Sequence, residues 1–191
     1  MNRSDPDADV LVGLRAGDER ALRELMARHL DRIHALAARL LGDAALAEDV
    51  AQTVFLKTWQ MAPQWKSGQA RLLTWMQRVA THHCLDMLRK KAPIYTDTVP
   101  DIQDGRPQAE KSLADTQTRE TVKAALDNLP ENQKAAIILS YYENVSQKHG
   151  ADILGVSEKA YESLLVRGRK HLKAHLVPHK SHLDPIMEAR V

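Results

Sequence analysis

The side chains best able to do chemistry in this chain are its histidines, its single cysteine and two runs of basic residues. His82, His83 and Cys84 are consecutive, so on a helix they point in different directions and cannot ligate one metal together. His171, His175 and His179 recur every fourth residue and could align on a helix, but Pro178 interrupts it before the third. There is no HExxH, no CxxC, no phosphate-cradling P-loop and no nucleophile elbow. These absences weigh against a catalytic centre, a metal site and a cofactor. Its histidines form a weakly basic surface, and Cys84 is a small packed residue.

The basic residues carry more. From Val50 to Leu85 no acid occurs, while Lys57, Lys66, Arg71 and Arg78 have Trp59, Trp65 and Trp75 set among them, and Arg89, Lys90 and Lys91 follow. A second acid-free stretch, Ser163 to Leu183, holds Arg167, Arg169, Lys170, Lys173 and Lys180. Between them Asp97, Asp101, Asp104 and Glu110 dominate, so a net charge of only +2 conceals two basic segments around an acidic spacer. That pattern suits two contacts with a polyanion; charge alone is equally compatible with solvated helix faces.

The elements that must position these residues read as helices. Asp18 can cap a helix carrying Leu22, Leu25, Met26, Ile33, Leu36, Ala37, Leu40 and Leu41, which Gly42 can end. Asp43 can cap the next, with Leu46, Val50, Val54 and the Phe55/Trp59 pair inside. Residues 63–70 form a loop. A long helix follows with Leu72, Trp75, Met76, Val79, Ala80 and Leu88 on one face, ending before Pro93. Residues 93–112, with three prolines and a glycine, read as a linker. Beyond it, Val122, Ala125, Leu126 and Leu129 mark a helix, and Pro130 is placed at the first position of another.

Gln147 to Leu154 and Ser157 to about Leu176 form a helix-turn-helix. Ala151 and Leu154 point inward, Gly155 takes positive φ, Val156 packs into the corner, and Ser157 caps the second helix. Gly150, inside the first helix, weakens it. Ala160, Leu164 and Leu165 face the core. Glu158, Lys159, Glu162, Ser163, Arg167 and Lys170 face outward, where a recognition helix reads base edges and phosphates. The fold class is all-α, two small helical bundles: residues 8–92, a flexible linker at 93–112, residues 113–178, and a tail at 179–191.

Apolar residues make up 43% of the 191, enough for a core. No apolar run reaches the roughly 18 residues of a membrane span, and the start is polar and acidic, so neither direct membrane insertion nor a secretory signal is expected. One cysteine cannot close an internal disulfide, which fits a cytoplasmic protein.

The stretches AGDERALRELMARH, LLGDAALAEDVAQTVFLKTW, LLTWMQRVATHHCLDMLRKK, ALDNLPENQKAAIILSYYENVS and LGVSEKAYESLLVRGRKHLKAHL, in this order and spacing, resemble the extracytoplasmic-function (ECF) group of sigma-70-type bacterial sigma factors. The resemblance runs from Asp9 to Leu176. It implies a region 2-like domain that docks on core RNA polymerase and opens the −10 element, and a region 4-like domain that reads the −35 element. The expected partners are core RNA polymerase, promoter DNA and an anti-sigma factor, in this family often membrane-bound.

On the same resemblance Asp49, Gln52, Thr53 and Leu56 face the polymerase; Thr53 stands where the family commonly has Glu. The −10 contacts are Trp65, Lys66, Ser67, Gln69, Arg71, Arg78, His82, Arg89 and Lys90, with His83 and Lys91 beside them. Trp65 either stacks on a flipped base or anchors its loop from beneath, the latter placed first; Trp75 is assigned to the core. Thr81 and His82 stand where the family often has Arg and Asn, which points to weaker or pH-sensitive DNA binding. The −35 contacts are Ser157, Glu158, Lys159, Glu162, Ser163, Arg167 and Lys170. Two alternatives are a stand-alone helix-turn-helix transcriptional regulator, which would bind a palindromic site without polymerase, and an all-α metal-dependent enzyme.

Overall fold

The computed structural model describes residues 5–66, 71–91 and 113–177. Among them every regular element is helical. The linker expected at 93–112, the tail at 179–191, and Ser67 and Gln69 lie outside the described residues.

The N-terminal half holds four α-helices: α1 (Ala8–Arg15), α2 (Glu19–Leu41), α3 (Ala44–Met61) and α4 (Leu72–Lys91), with one 3-10 turn (Ala62–Gln64) after α3. The caps foreseen in the sequence form. Asp18 accepts from the Arg20 N–H and Asp43 from the Leu46 N–H, each satisfying a first-turn donor, and Gly42 ends α2 at φ 70°. Leu25, Ile33, Leu36 and Leu40 of α2 meet Val50, Val54 and Phe55 of α3 and Leu72, Met76 and Ala80 of α4, all buried. Cys84 joins them, and burial pushes its thiol up to about 12.

Helix α1 has no counterpart in the sequence reading. Only Val10, Leu11 and Leu14 are buried along its eight residues, too few to establish a period. Those three side chains join the core, and ion pairs add to their hold. The Arg28 guanidinium bridges Asp7 (3.3 Å) and Asp9 (2.8 Å), and His29 Nε2 lies 2.9 Å from Asp7.

The C-terminal half comprises α5 (Leu113–Asp127), α6 (Glu131–Ile137), α7 (Gln147–Leu154) and α8 (Glu158–Leu176); α6 runs on into a wider π-type turn (Ile138–Tyr142) that the sequence did not announce. Pro130 lies one residue earlier than expected. Its ψ of 137° makes it the cap, and its carbonyl accepts from the Gln133 and Lys134 N–H groups. Tyr161, absent from the expected core, is fully buried and donates its hydroxyl to the Ala136 carbonyl at 3.1 Å. Gly150 lies directly beneath that ring: a Cβ there would meet Tyr161 Cζ at 2.3 Å. What looked like a helix-weakening glycine makes room for the largest core side chain of this half.

The two bundles pack together. α4 lies against α7 and α6, and the buried residues of both halves belong to one continuous cluster.

Candidate nucleic-acid and polymerase interfaces

The α7–turn–α8 unit is shaped by local chemistry. Gly155 has φ 68°, in the left-handed region, and the Val156 N–H returns to the Ala151 carbonyl at 3.0 Å, closing the end of α7. The Val156 side chain fills the corner only in part, being 38% exposed. Ser157 Oγ accepts from the Ala160 N–H at 3.2 Å and starts α8. Glu158, Lys159, Glu162, Arg167 and Lys170 are exposed along α8. Ser163 is half-buried and its hydroxyl donates to the Lys159 carbonyl at 2.9 Å, so that donor is already used within the helix. A shallow groove runs along Glu162, Ser163, Val166 and Arg167, with Val166 a solvent-facing apolar side chain that the sequence reading passed over.

Around α4, Lys66, Arg71, Arg78 and Lys90 are exposed. Trp65 is half-buried and meets Trp75 edge-to-face, ring centroids 6.0 Å apart and planes at 86°. Trp65 therefore has the anchoring position, and Trp75 is a half-buried partner of it. Lys57, Trp75, Arg78, His82, His83 and Asp86 line one open cleft, which brings α3 and α4 cations together.

Two of the expected DNA contacts also have partners in the C-terminal half. His82 is half-buried with Nε2 2.9 Å from the Ile153 carbonyl of α7, and Arg89, beside Asp86, also reaches Glu131 at 3.9 Å. In this arrangement both face the C-terminal bundle.

On α3, Asp49, Gln52 and Leu56 are exposed and Thr53 is half-buried. Leu56 is 57% exposed on a helix whose other large apolar side chains are buried or half-buried. An isolated exposed leucine flanked by Asp49, Gln52 and Lys57 offers an apolar contact with a polar surround.

Comparison with known proteins bears on both halves. The models for sigma-70 region 2 and sigma-70 region 4 match residues 25–94 and 119–172. The ECF RNA polymerase sigma factor SigE of Mycolicibacterium smegmatis is 31% identical over 185 residues, 93% of this chain and 71% of SigE. This chain belongs to the ECF sigma factors of the sigma-70 family. SigW of Bacillus subtilis is 25% identical over 174 residues, covering 85% of this chain and 92% of SigW. Among solved structures, CnrH in complex with the cytosolic domain of CnrY superposes with a TM-score of 0.67 at 25% identity, over 90% of this chain and 97% of CnrH. The sigma factor RpoE of Bartonella quintana, solved with the anti-sigma factor NepR, has the same fold at 21% identity, with TM-score 0.62 over 81% of this chain and 95% of RpoE.

In this sigma factor the contact between the two region-like halves is polar at its edge. Glu143, only 4% exposed, follows the π-type turn and receives the Arg32 Nε at 2.7 Å and the Gln77 amide at 3.1 Å, with Arg39 at 3.8 Å. Arg39 also lies 4.8 Å over the Tyr142 ring. No sequence signal marked Glu143, because its partners lie 66 and 111 residues away. Among the described residues no helix is long and apolar enough to cross a membrane.

Proposed function

We propose that this sigma factor docks on core RNA polymerase through α3 and reads its promoter at two separate places. Asp49, Gln52, Thr53 and Leu56 contact the polymerase. Trp65, Lys66, Ser67, Gln69, Arg71, Arg78, His82, Arg89 and Lys90 serve the −10 element. Ser157, Glu158, Lys159, Glu162, Ser163, Arg167 and Lys170 serve the −35 element. The observation that carries this is the pairing of exposed cations on α4 with a second, independent exposed basic face on α8, behind a well-capped helix-turn-helix. A flipped −10 base needs an edge to hydrogen-bond and a surface to rest on, for which Lys66, Ser67, Gln69 and Arg71 supply polar groups beside Trp65 in the sequence. The duplex −35 element needs a helix in its major groove with basic side chains on phosphates, which α8 supplies.

For His82 to reach DNA, α4 must come away from α7; Arg89, largely exposed, need only leave Glu131 of α6. An arrangement in which part of the −10 surface faces the C-terminal half suits a protein held inactive until released. The whole-chain likeness to CnrH, solved with the cytosolic domain of another protein, supports control by an anti-sigma factor with a membrane-attached remainder. The chain works in the cytoplasm, with polymerase and promoter.

The test is transcription by sigma-free core polymerase on fragmented genomic DNA with the purified protein added, mapping RNA 5′ ends. New starts sharing two upstream elements at fixed spacing are expected, and Glu162→Ala should change which upstream element is selected. Absence of new starts with folded protein would sink the reading.

A further inference from the structure

Among the described residues, no side chain close in sequence caps helix α4. Its first N–H groups need acceptors, yet the two residues before Leu72 are Ala70 and Arg71, whose side chains accept nothing. The acceptor comes from the other end of the domain: Asp5 Oδ2 takes the Leu72 N–H at 2.7 Å. The same carboxylate takes the Asp7 N–H through Oδ1 at 3.1 Å, and the Asp5 carbonyl takes the Ala8 N–H at 3.1 Å, so one residue starts both α1 and α4. At the far end of α1, the Arg15 guanidinium donates to the Trp65 carbonyl. Between these points α1 is tied to α2 by Asp7 and Asp9 on Arg28 and His29. A helix rises about 1.5 Å per residue, so α1 is a rigid spacer whose two ends hold Trp65 and Leu72.

We propose that Asp5 and Arg15 are positioning residues for the −10 contacts: through Trp65 and the start of α4, they fix where Lys66, Arg71 and Arg78 stand when the promoter opens. This rests on the −10 assignment above. The argument is one of preorganisation. Capturing a base costs ordering of the groups that hold it, and anchoring both flanks in advance lowers that cost at the opening step. Each acts through a backbone atom of another residue.

The experiment uses the full chain with core polymerase and a promoter fragment found by the 5′-end mapping. Asp5→Ala, Asp5→Asn, Arg15→Ala and, as a control on the −10 assignment, Arg71→Ala and Arg78→Ala are compared. Asp5→Ala and Arg15→Ala should slow open-complex formation, read by permanganate reactivity of melted thymines, about fivefold, the size of a lost helix cap. Affinity for core polymerase should not change. Asp5→Asn, which keeps one accepting oxygen where the carboxylate uses two, should restore part of the rate. Independently of DNA, hydrogen exchange at the first amides of α4 should quicken in Asp5→Ala, and less in Asp5→Asn. Unchanged opening in Asp5→Ala, with Arg71→Ala and Arg78→Ala impaired, overturns this proposal alone. Unchanged opening in all four substitutions to alanine overturns the −10 assignment. Equal loss of core affinity and opening assigns Asp5 to general folding and also overturns the proposal.

Discussion

Arg32 on α2 grips Glu143 twice: its Nε donates to the carboxylate and a terminal N–H to the main-chain carbonyl of the same residue, both at 2.7 Å. The two residues belong to different halves of the chain. The Glu143 side chain is 3% exposed and that of Arg32 is 43% exposed, so the acid is desolvated while the base keeps water. The asymmetry decides what each substitution does.

Arg32→Ala leaves a buried carboxylate with only the Gln77 amide and a distant Arg39. Breaking a buried pair costs about 3–5 kcal/mol, reduced here to about 2–3 because Arg32 is half in solvent. Glu143→Gln removes the buried charge and keeps an acceptor, at about 1 kcal/mol. Urea unfolding should rank Arg32→Ala as the more damaging, and small-angle scattering should show its two halves further apart. The reverse ranking would mean that Glu143 is not held as an anion by Arg32.

Gly150→Ala tests propensity against packing. Alanine favours an exposed helix interior over glycine by about 1 kcal/mol. Here the new Cβ would fall 2.3 Å from Tyr161 Cζ, and that ring is fully buried with its hydroxyl bonded to Ala136. Overpacking costs about 1–3 kcal/mol, so the net effect should be destabilising despite the better propensity. A rise in thermal midpoint would show that Tyr161 moves aside freely.

Acid should loosen α1. Burial works to raise the pKa of Asp7, but hydrogen bonds and charge from His29 and Arg28 together outweigh it and hold the carboxyl below its ordinary 3.8. A folded-state pKa below the unfolded one means that the stabilisation is complete above 3.8 and is lost as pH falls through the folded value. Asp9, in solvent, is held to about 2 chiefly by its hydrogen bond from Arg28. Urea midpoints of the native protein and Asp7→Asn should therefore differ most above pH 4 and converge below it. A constant gap down to pH 2 would contradict the assignment.

On α8, Arg167 and Lys170 are placed as phosphate contacts. Alanine at either should weaken promoter binding and lower the slope of log K against log salt by about 1. Glu162→Ala should instead alter which −35 bases are preferred, with the salt slope kept or made steeper. Fluorescence anisotropy of the holoenzyme on matched and mismatched −35 fragments separates the two. A change in base preference without a change in slope for Arg167→Ala would move that residue from backbone to base.

The elements with local causes were legible in the sequence. Asp18, Asp43 and Ser157 cap N–H groups two or three residues away, and Gly42 and Gly155 take the positive φ their helix ends need; such interactions are written within one turn of chain. The two basic, acid-free stretches were legible for the same reason, because exposure on a helix face follows from spacing. The family followed from the order of five such stretches. The sequence did not reveal the interactions that join residues far apart in the chain. Helix α1 was too short to show a period; it is fixed by the burial of Val10, Leu11 and Leu14 and by its ion pairs to Arg28 and His29. The cap of α4 is Asp5, 67 residues away. Gly150 is explained only by Tyr161 above it. His82 and Arg89 have the residue types of a DNA contact and yet meet Ile153 and Glu131. Side-chain type and helical period determined what each residue could do; which partner it meets was decided by the packing of α1 on α2 and of α4 on α7, where distance in space has no relation to distance in sequence.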